Sequence, residues 1–172
     1  MKKIVAYVLG AVGLLGVDLL TKYLAQTYLG DRVIPILGDF LELRYIVNDG
    51  LSFSSFSGMT AVTMSVPVIV MIVWIGVWIY FLKFLKKRNE MKAITAVNIC
   101  GILLTAGFMG NYIERILNGG VTDFIHVKGF AIFNVADIYV TMCQGILLIF
   151  VVYMCKIEYK EKKAKKEEEK LS

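Results

Sequence analysis

One histidine, two prolines and three cysteines are all that the 172 residues hold of those types. His126 has no second imidazole to complete a zinc site, and Cys100, Cys143 and Cys155 show no C-x-x-C spacing. All three cysteines fall within apolar runs or at their ends, so neither a disulfide framework, a metal site nor another cofactor is expected. Pro35 reads as a loop bend and Pro67 as a tolerated position early in an apolar run. Internal repeats and low-complexity stretches are absent, and no G-x-G-D occurs. What is plentiful is apolar surface: 58% of the residues are hydrophobic and the mean hydropathy is +0.68. That excludes an ordinary soluble domain.

Four runs approach the ~20 apolar residues that hydrocarbon requires. They cover roughly 4–25, 61–82, 93–112 and 132–155, which predicts one integral membrane domain over 1–172 with a charged tail from 156 to 172. The first run carries Asp18 and Lys22 and lacks a small-residue cleavage site, so it reads as a retained span rather than a removable leader. Lys2 and Lys3, the cluster at 83–92 and the lysines of the tail place 14 of 19 basic residues on one side. The positive-inside rule makes that side cytoplasmic, with both termini inside. The net charge of +5 is then a topology signal with some attraction to anionic lipid, and no nucleic-acid partner is implied. The mixed-sign KKAKKEEEK reads as a solvated or frayed end.

The two segments facing the other side carry structure. Across 40–47, Leu41, Leu43 and Tyr45 alternate with Glu42 and Arg44, a half-buried strand pattern. VTDFIHV and FAIF flank Lys128-Gly129 as a short hairpin. A small β-element is therefore expected on the outer membrane surface, with His126 at its surface or interface.

Asp137 lies at the start of an apolar run, where a carboxylate is costly and rarely kept without a purpose. Asp123 precedes it in GGVTDFIHV. Helical rise puts Asp18 about 22 Å and Lys22 about 28 Å from Lys3, Asn111 about 28 Å from Lys92, and Asp137 about 28 Å from Lys156. Three helices thus bring polar residues to one level near the outer boundary. Asn111, Glu114 and Arg115 share a helical face, Asn134 and Asp137 are three apart, and Asp18 precedes Lys22 by four. An aspartate pair at such a boundary suggests acid–base chemistry on a substrate arriving through the lipid.

Plainer readings stand beside this one. Asn134 and Asp137 fit a helix cap, and Asp18–Lys22 fits an intrahelical ion pair. Glu114–Arg115 fits a solvated pair, and Asp31, Asp39, Glu42 and Asp49 fit loop charges. A proton-coupled carrier would also hold acids in the membrane, but nearer the midplane and often within an inverted repeat. A serine protease would need Ser52 or Ser54 with Lys22 or His126 as base. A non-enzymatic assembly subunit is the remaining class.

VDLLTK at 17–22, NDGLSFS at 48–54, GNYIER and GGVTDF between 110 and 124, and FNVAD at 133–137 occur in register on the four spans. Together, over roughly 7–152, the chain resembles the lipoprotein signal peptidases, the type II signal peptidases of bacteria. The resemblance implies four transmembrane helices with a small extracytoplasmic β-cradle. It implies a membrane aspartyl endopeptidase of the bacterial cytoplasmic membrane, with its active site near the extracytoplasmic face. Such an enzyme removes signal peptides from diacylglyceryl-modified prolipoproteins, cleaving just before the modified cysteine, and acts as a monomer in contact with lipid. The catalytic pair falls on Asp123 and Asp137. Supporting or substrate-binding positions fall on Asp18, Lys22, Asn48, Gly50, Asn111, Arg115 and Asn134. Glu114 stands where the family usually has aspartate, so its carboxylate reaches one methylene further in a supporting role, and NDGLSFS departs from the usual version after its first glycine.

Two nearby carboxylates sharing one proton supply both a base for water and an acid for the departing amine. A helix N-terminus favours negative charge and suggests Asp137 as the base, although such a pair titrates jointly. Asn111 and Asn134 would position carboxylates or substrate amides, Arg115 would hold a backbone carbonyl, and Phe53, Phe56 and Phe133 would line the vestibule.

Overall fold

The computed structural model describes residues 2–50, 55, 56 and 58–171. Long apolar runs without interior breakers other than Pro67 give four helices: α1 (Lys2–Tyr28), α2 (Thr60–Lys87), α3 (Met91–Asn118) and α4 (Val135–Leu171). Each contains a stretch long and apolar enough to cross a membrane, namely Ile4–Tyr28, Thr60–Lys87, Ala93–Asn118 and Val135–Tyr159. α1, α2 and α3 outrun their apolar runs because backbone bonds continue through the flanking residues, whereas α4 starts later than the run at 132–155, whose first residues Ile132 and Phe133 belong to a strand. The tail, expected to be solvated or frayed, stays helical to Leu171.

Between the helices lie β1 (Val33–Leu37), β2 (Leu41–Asn48), β3 (Val121–Val127) and β4 (Ala131–Phe133), an antiparallel sheet in that order. The alternation at 40–47 is β2, displaced by one residue, and the Lys128-Gly129 hairpin joins β3 to β4. Pro35 is a correction. It lies within β1, opposite Glu42, because an edge strand leaves one side of its backbone unpaired and tolerates a missing N–H. Glu42 is likewise a strand residue, and it contacts His126 Nδ1 across the β2–β3 pair at 2.6 Å.

α3 is central, and α1, α2 and α4 all pack on it. Buried apolar side chains fall into three layers along it. Ala25, Leu29 and Phe124 join the end of α1 to the sheet. Leu103, Leu104 and Ala106 of α3 meet Tyr139 and Cys143 of α4 at mid-height. Leu85, Val97, Phe150 and Met154 close the end far from the sheet, where the rings of Phe81 and Phe150 meet edge to face. Most other large apolar side chains of α1 and α2 face outward, as a lipid solvent permits.

Two local features aim the polar residues. Gly119, at φ 74°, ends α3 with its N–H on Arg115 O at 3.0 Å, and the chain turns directly into β3. On α3, a Cβ at Gly107 would stand 2.7 Å from the Ala136 carbonyl, and one at Gly110 would collide with the Asp18 carboxylate. Their bare backbone lets α1 and the start of α4 close onto α3.

Candidate active site

Spacing of four puts Asp18 and Lys22 on one face of α1, turned to α3, where both are buried. Lys22 Nζ has three protons and three acceptors: Asn111 Oδ1 at 2.7 Å, Asp18 Oδ2 at 2.9 Å and Glu114 Oε2 at 3.2 Å. The ion pair is therefore one part of a larger hub. Asp18 Oδ1 accepts the Ala136 N–H at 2.7 Å. That N–H belongs to the first turn of α4, where no intrahelical acceptor exists, so Asp18 caps α4 from a different helix.

Glu114 points inward and is buried, contrary to the solvated-pair reading. Its Oε2 also accepts the Thr122 N–H at 2.9 Å, which pins β3 one residue before Asp123. Arg115 Nη2 donates to Gly50 O at 3.0 Å, so the carbonyl it holds is the chain's own. Gly50 N–H in turn donates to Asn48 Oδ1 at 3.0 Å.

These contacts converge on two carboxylates. Asp123 Oδ2 accepts Asn48 Nδ2 at 3.0 Å, and its Oδ1 accepts Asn134 Nδ2 at 2.7 Å. Asp137 Oδ1 accepts Asn111 Nδ2 at 2.9 Å, and its Oδ2 accepts the Asn134 backbone N–H at 3.2 Å. Asn134 Oδ1 takes the Asp137 N–H at 3.1 Å, which completes a reciprocal capping box. The cap reading and the site reading are thus one arrangement: the residue that caps α4 also bridges both acids. Every donor to the two carboxylates named here is a neutral amide.

Burial pushes the Asp123 carboxyl up to about 6. The Asn48 bond opposes that rise, the Asp137 charge adds to it, and the Asn134 bond and Lys22 oppose it.

Asp123 and Asp137 line one cavity of about 770 Å³. Val66, Pro67 and Val70 of α2 form one wall, and Val140, Thr141 and Gln144 of α4 another. Phe133 lines it as expected, whereas Phe56 is more than half exposed and does not. Ser52, Phe53 and Ser54 lie outside the described residues. Among the described residues no three His, Cys, Asp or Glu side chains are grouped to hold a metal. Sequence reasoning missed the backbone donors Thr122 and Ala136, since backbone groups leave no residue signal. It also passed over Gly107 and Gly110, whose spacing on α3 marks the close approach.

Residues 10–153 match the family described as Signal peptidase (SPase) II. The chain belongs to the signal peptidase II family. It is 32% identical over 163 residues to the lipoprotein signal peptidase of Lactococcus lactis subsp. cremoris (strain MG1363), covering 93% of this chain and all of that one. The lipoprotein signal peptidase of Treponema denticola is 33% identical over 142 residues, 74% of this chain and 77% of its own. A bacterial membrane enzyme solved by the in meso method at 2.3 Å resolution shares the fold with a TM-score of 0.68 and 29% identity, over 87% of this chain and 89% of that one. A second, solved at 1.9 Å resolution, gives 0.66 and 28%. This signal peptidase II is a protease and a bacterial multi-pass membrane protein, with four membrane-spanning helices and a four-stranded sheet at one end.

Proposed function

We propose that this signal peptidase cleaves diacylglyceryl-modified prolipoproteins by aspartyl chemistry, just before the lipid-modified cysteine. The supporting observation is the bridging of Asp123 and Asp137 through Asn134 at the wall of one cavity. In the proposed active form Asp123 holds the shared proton, which burial makes easier by raising its carboxyl to about 6. Asp137, oriented by Asn111 Nδ2 on Oδ1 and the Asn134 N–H on Oδ2, takes a proton from water as the water oxygen attacks the scissile carbonyl. Asp123 protonates the departing nitrogen, the C–N bond breaks, and the proton on Asp137 returns to the pair.

By the positive-inside rule, the basic residues at the far end of the bundle favour a cytoplasmic side for both termini and the tail. The sheet and the carboxylates then lie near the extracytoplasmic face, where a scissile bond meets water while two acyl chains stay in the bilayer. A monomer suffices for this scheme, because one chain carries every group it uses. Asp18, Lys22, Glu114, Arg115, Asn48, Gly50, Asn111 and Asn134 serve as supports for the pair or its rim.

The test is cleavage of a diacylglyceryl prolipoprotein peptide by wild type, Asp123→Asn, Asp137→Asn, Ser52→Ala and Ser54→Ala. Each Asn variant is expected to lose about a thousandfold in kcat, with the Ala variants near wild type. An active Asn variant beside an inactive Ala variant would sink the aspartyl assignment. Equal cleavage of the unlipidated peptide would sink the substrate class.

A further inference from the structure

Between Val135 and Tyr159, α4 carries one side-chain carboxamide, Gln144. Asp137, Thr141 and Gln144 stand at i, i+4 and i+7, one face of the helix, and all three line the cavity. The Thr141 hydroxyl is spent on Asp137 O at 2.9 Å. Gln144 is exposed and has no hydrogen bond among the described residues. An amide left unpaired at membrane depth is costly, and it is retained where it faces a cavity with a polar occupant. The facing wall, Val66, Pro67 and Val70, offers it no side-chain partner.

The occupant's chemistry follows from the reaction. A signal peptide that crosses hydrocarbon satisfies its backbone as a helix, and a helix hides its peptide bonds. To present one bond to Asp123 and Asp137 it must unwind locally, which frees N–H and C=O groups inside a wall that is otherwise apolar. A carboxamide offers a donor and an acceptor side by side, the complement of one peptide unit, whereas an ester carbonyl of the lipid can use only the donor. Seven residues of helix place Gln144 about 10 Å along α4 from Asp137, toward the far end. An extended chain covers that length in about three residues.

We propose that Gln144 is a substrate-positioning residue whose carboxamide pairs with the backbone of the unwound signal peptide about three residues before the scissile bond. This rests on the reaction proposed above.

The test is steady-state cleavage of the lipidated peptide by wild type and Gln144→Leu in detergent micelles. The substrates are the all-amide peptide, a peptide whose third residue before the scissile bond is joined by an ester instead of an amide, and one with ether-linked chains in place of acyl esters. Gln144→Leu is expected to raise KM about tenfold while kcat holds. The backbone ester should cost wild type a similar factor and cost Gln144→Leu nothing further. Equal penalties in both enzymes, or a wild-type KM in Gln144→Leu, overturn the inference while leaving the reaction intact. A Gln144→Leu defect that vanishes only with the ether lipid overturns it in favour of a lipid contact. A wild type that cleaves none of the substrates overturns the underlying reaction as well. Leucine makes α4 more apolar, and a matching thermal midpoint separates a binding defect from misfolding.

Discussion

The Asn111 side chain can face Asp137 in only one orientation. Lys22 Nζ holds the amide oxygen at 2.7 Å, so the nitrogen must be the atom that donates to Asp137 Oδ1 at 2.9 Å. A lysine on α1 thereby sets the donor at a carboxylate on α4 without touching it. Asn111→Leu removes that donor, and kcat is expected to fall on the order of a hundredfold, with KM little changed. Single-turnover cleavage in detergent checks it.

Removing the lysine should be worse for the fold than for any one bond. Lys22→Met leaves the Asp18 and Glu114 carboxylates buried without their cation. A loss of about 3–5 kcal/mol is expected, read as a drop in the unfolding midpoint. Adding Asp18→Asn and Glu114→Gln to Lys22→Met should recover much of it, because the uncompensated charges are then gone. A triple variant no better than the single would refute the charge explanation.

Asp123 makes a pH prediction with a definite sign. Its folded value of about 6 lies above the ordinary 3.8, so the folded state prefers the protonated form. As pH falls from 7 through 6 toward 4, this group should add about 3 kcal/mol of stability, a gain absent from Asp123→Asn. If Asp123 donates the proton, kcat/KM should fall above about pH 6. The Asn48 bond holds the value down, so Asn48→Ala should move that alkaline limb upward. An unmoved limb would point to another proton donor.

The glycines of α3 and α1 should part company under one substitution. Gly110→Ala drives a methyl into the Asp18 carboxylate and displaces it from the Ala136 N–H, at an expected cost of about 1–3 kcal/mol. Gly13→Ala on α1, where nothing lies within 4 Å, should be neutral or slightly stabilising. Thermal unfolding of the two variants compares them directly.

Much of this was legible in the residues themselves. Hydropathy located the four helices because lipid demands long apolar runs, and alternation located β2. Counting rise per residue put Lys22, Asn111 and Asp137 at one level, and the bonds from Lys22 through Asn111 to Asp137 join those three side chains. What escaped was whatever has no periodicity or side-chain signature. β1 is short, exposed and interrupted by Pro35. The Thr122 and Ala136 amides belong to the backbone, and the inward turn of Glu114 depends on where α1 delivers Lys22. Gln144 did carry a signal, a lone carboxamide in an apolar run, but an uncharged amide stands out less there than the carboxylate of Asp137.

The carboxylates hang on α1, α3, α4 and the sheet, and no α2 side chain enters their bond network among the described residues. α2 instead supplies Val66, Pro67 and Val70 to the cavity and is joined to α4 through contacts near the far end. The bonds around the carboxylates and one wall of the cavity are therefore set by different helices, with α2 itself packed on α3. A change of bulk in that wall alters the room left in the cavity and leaves the bonds to Asp123 and Asp137 in place. Enlarging Val66 or Val70 should then narrow the range of peptides accepted without slowing those that still fit, which a cleavage panel of varied signal sequences would read out.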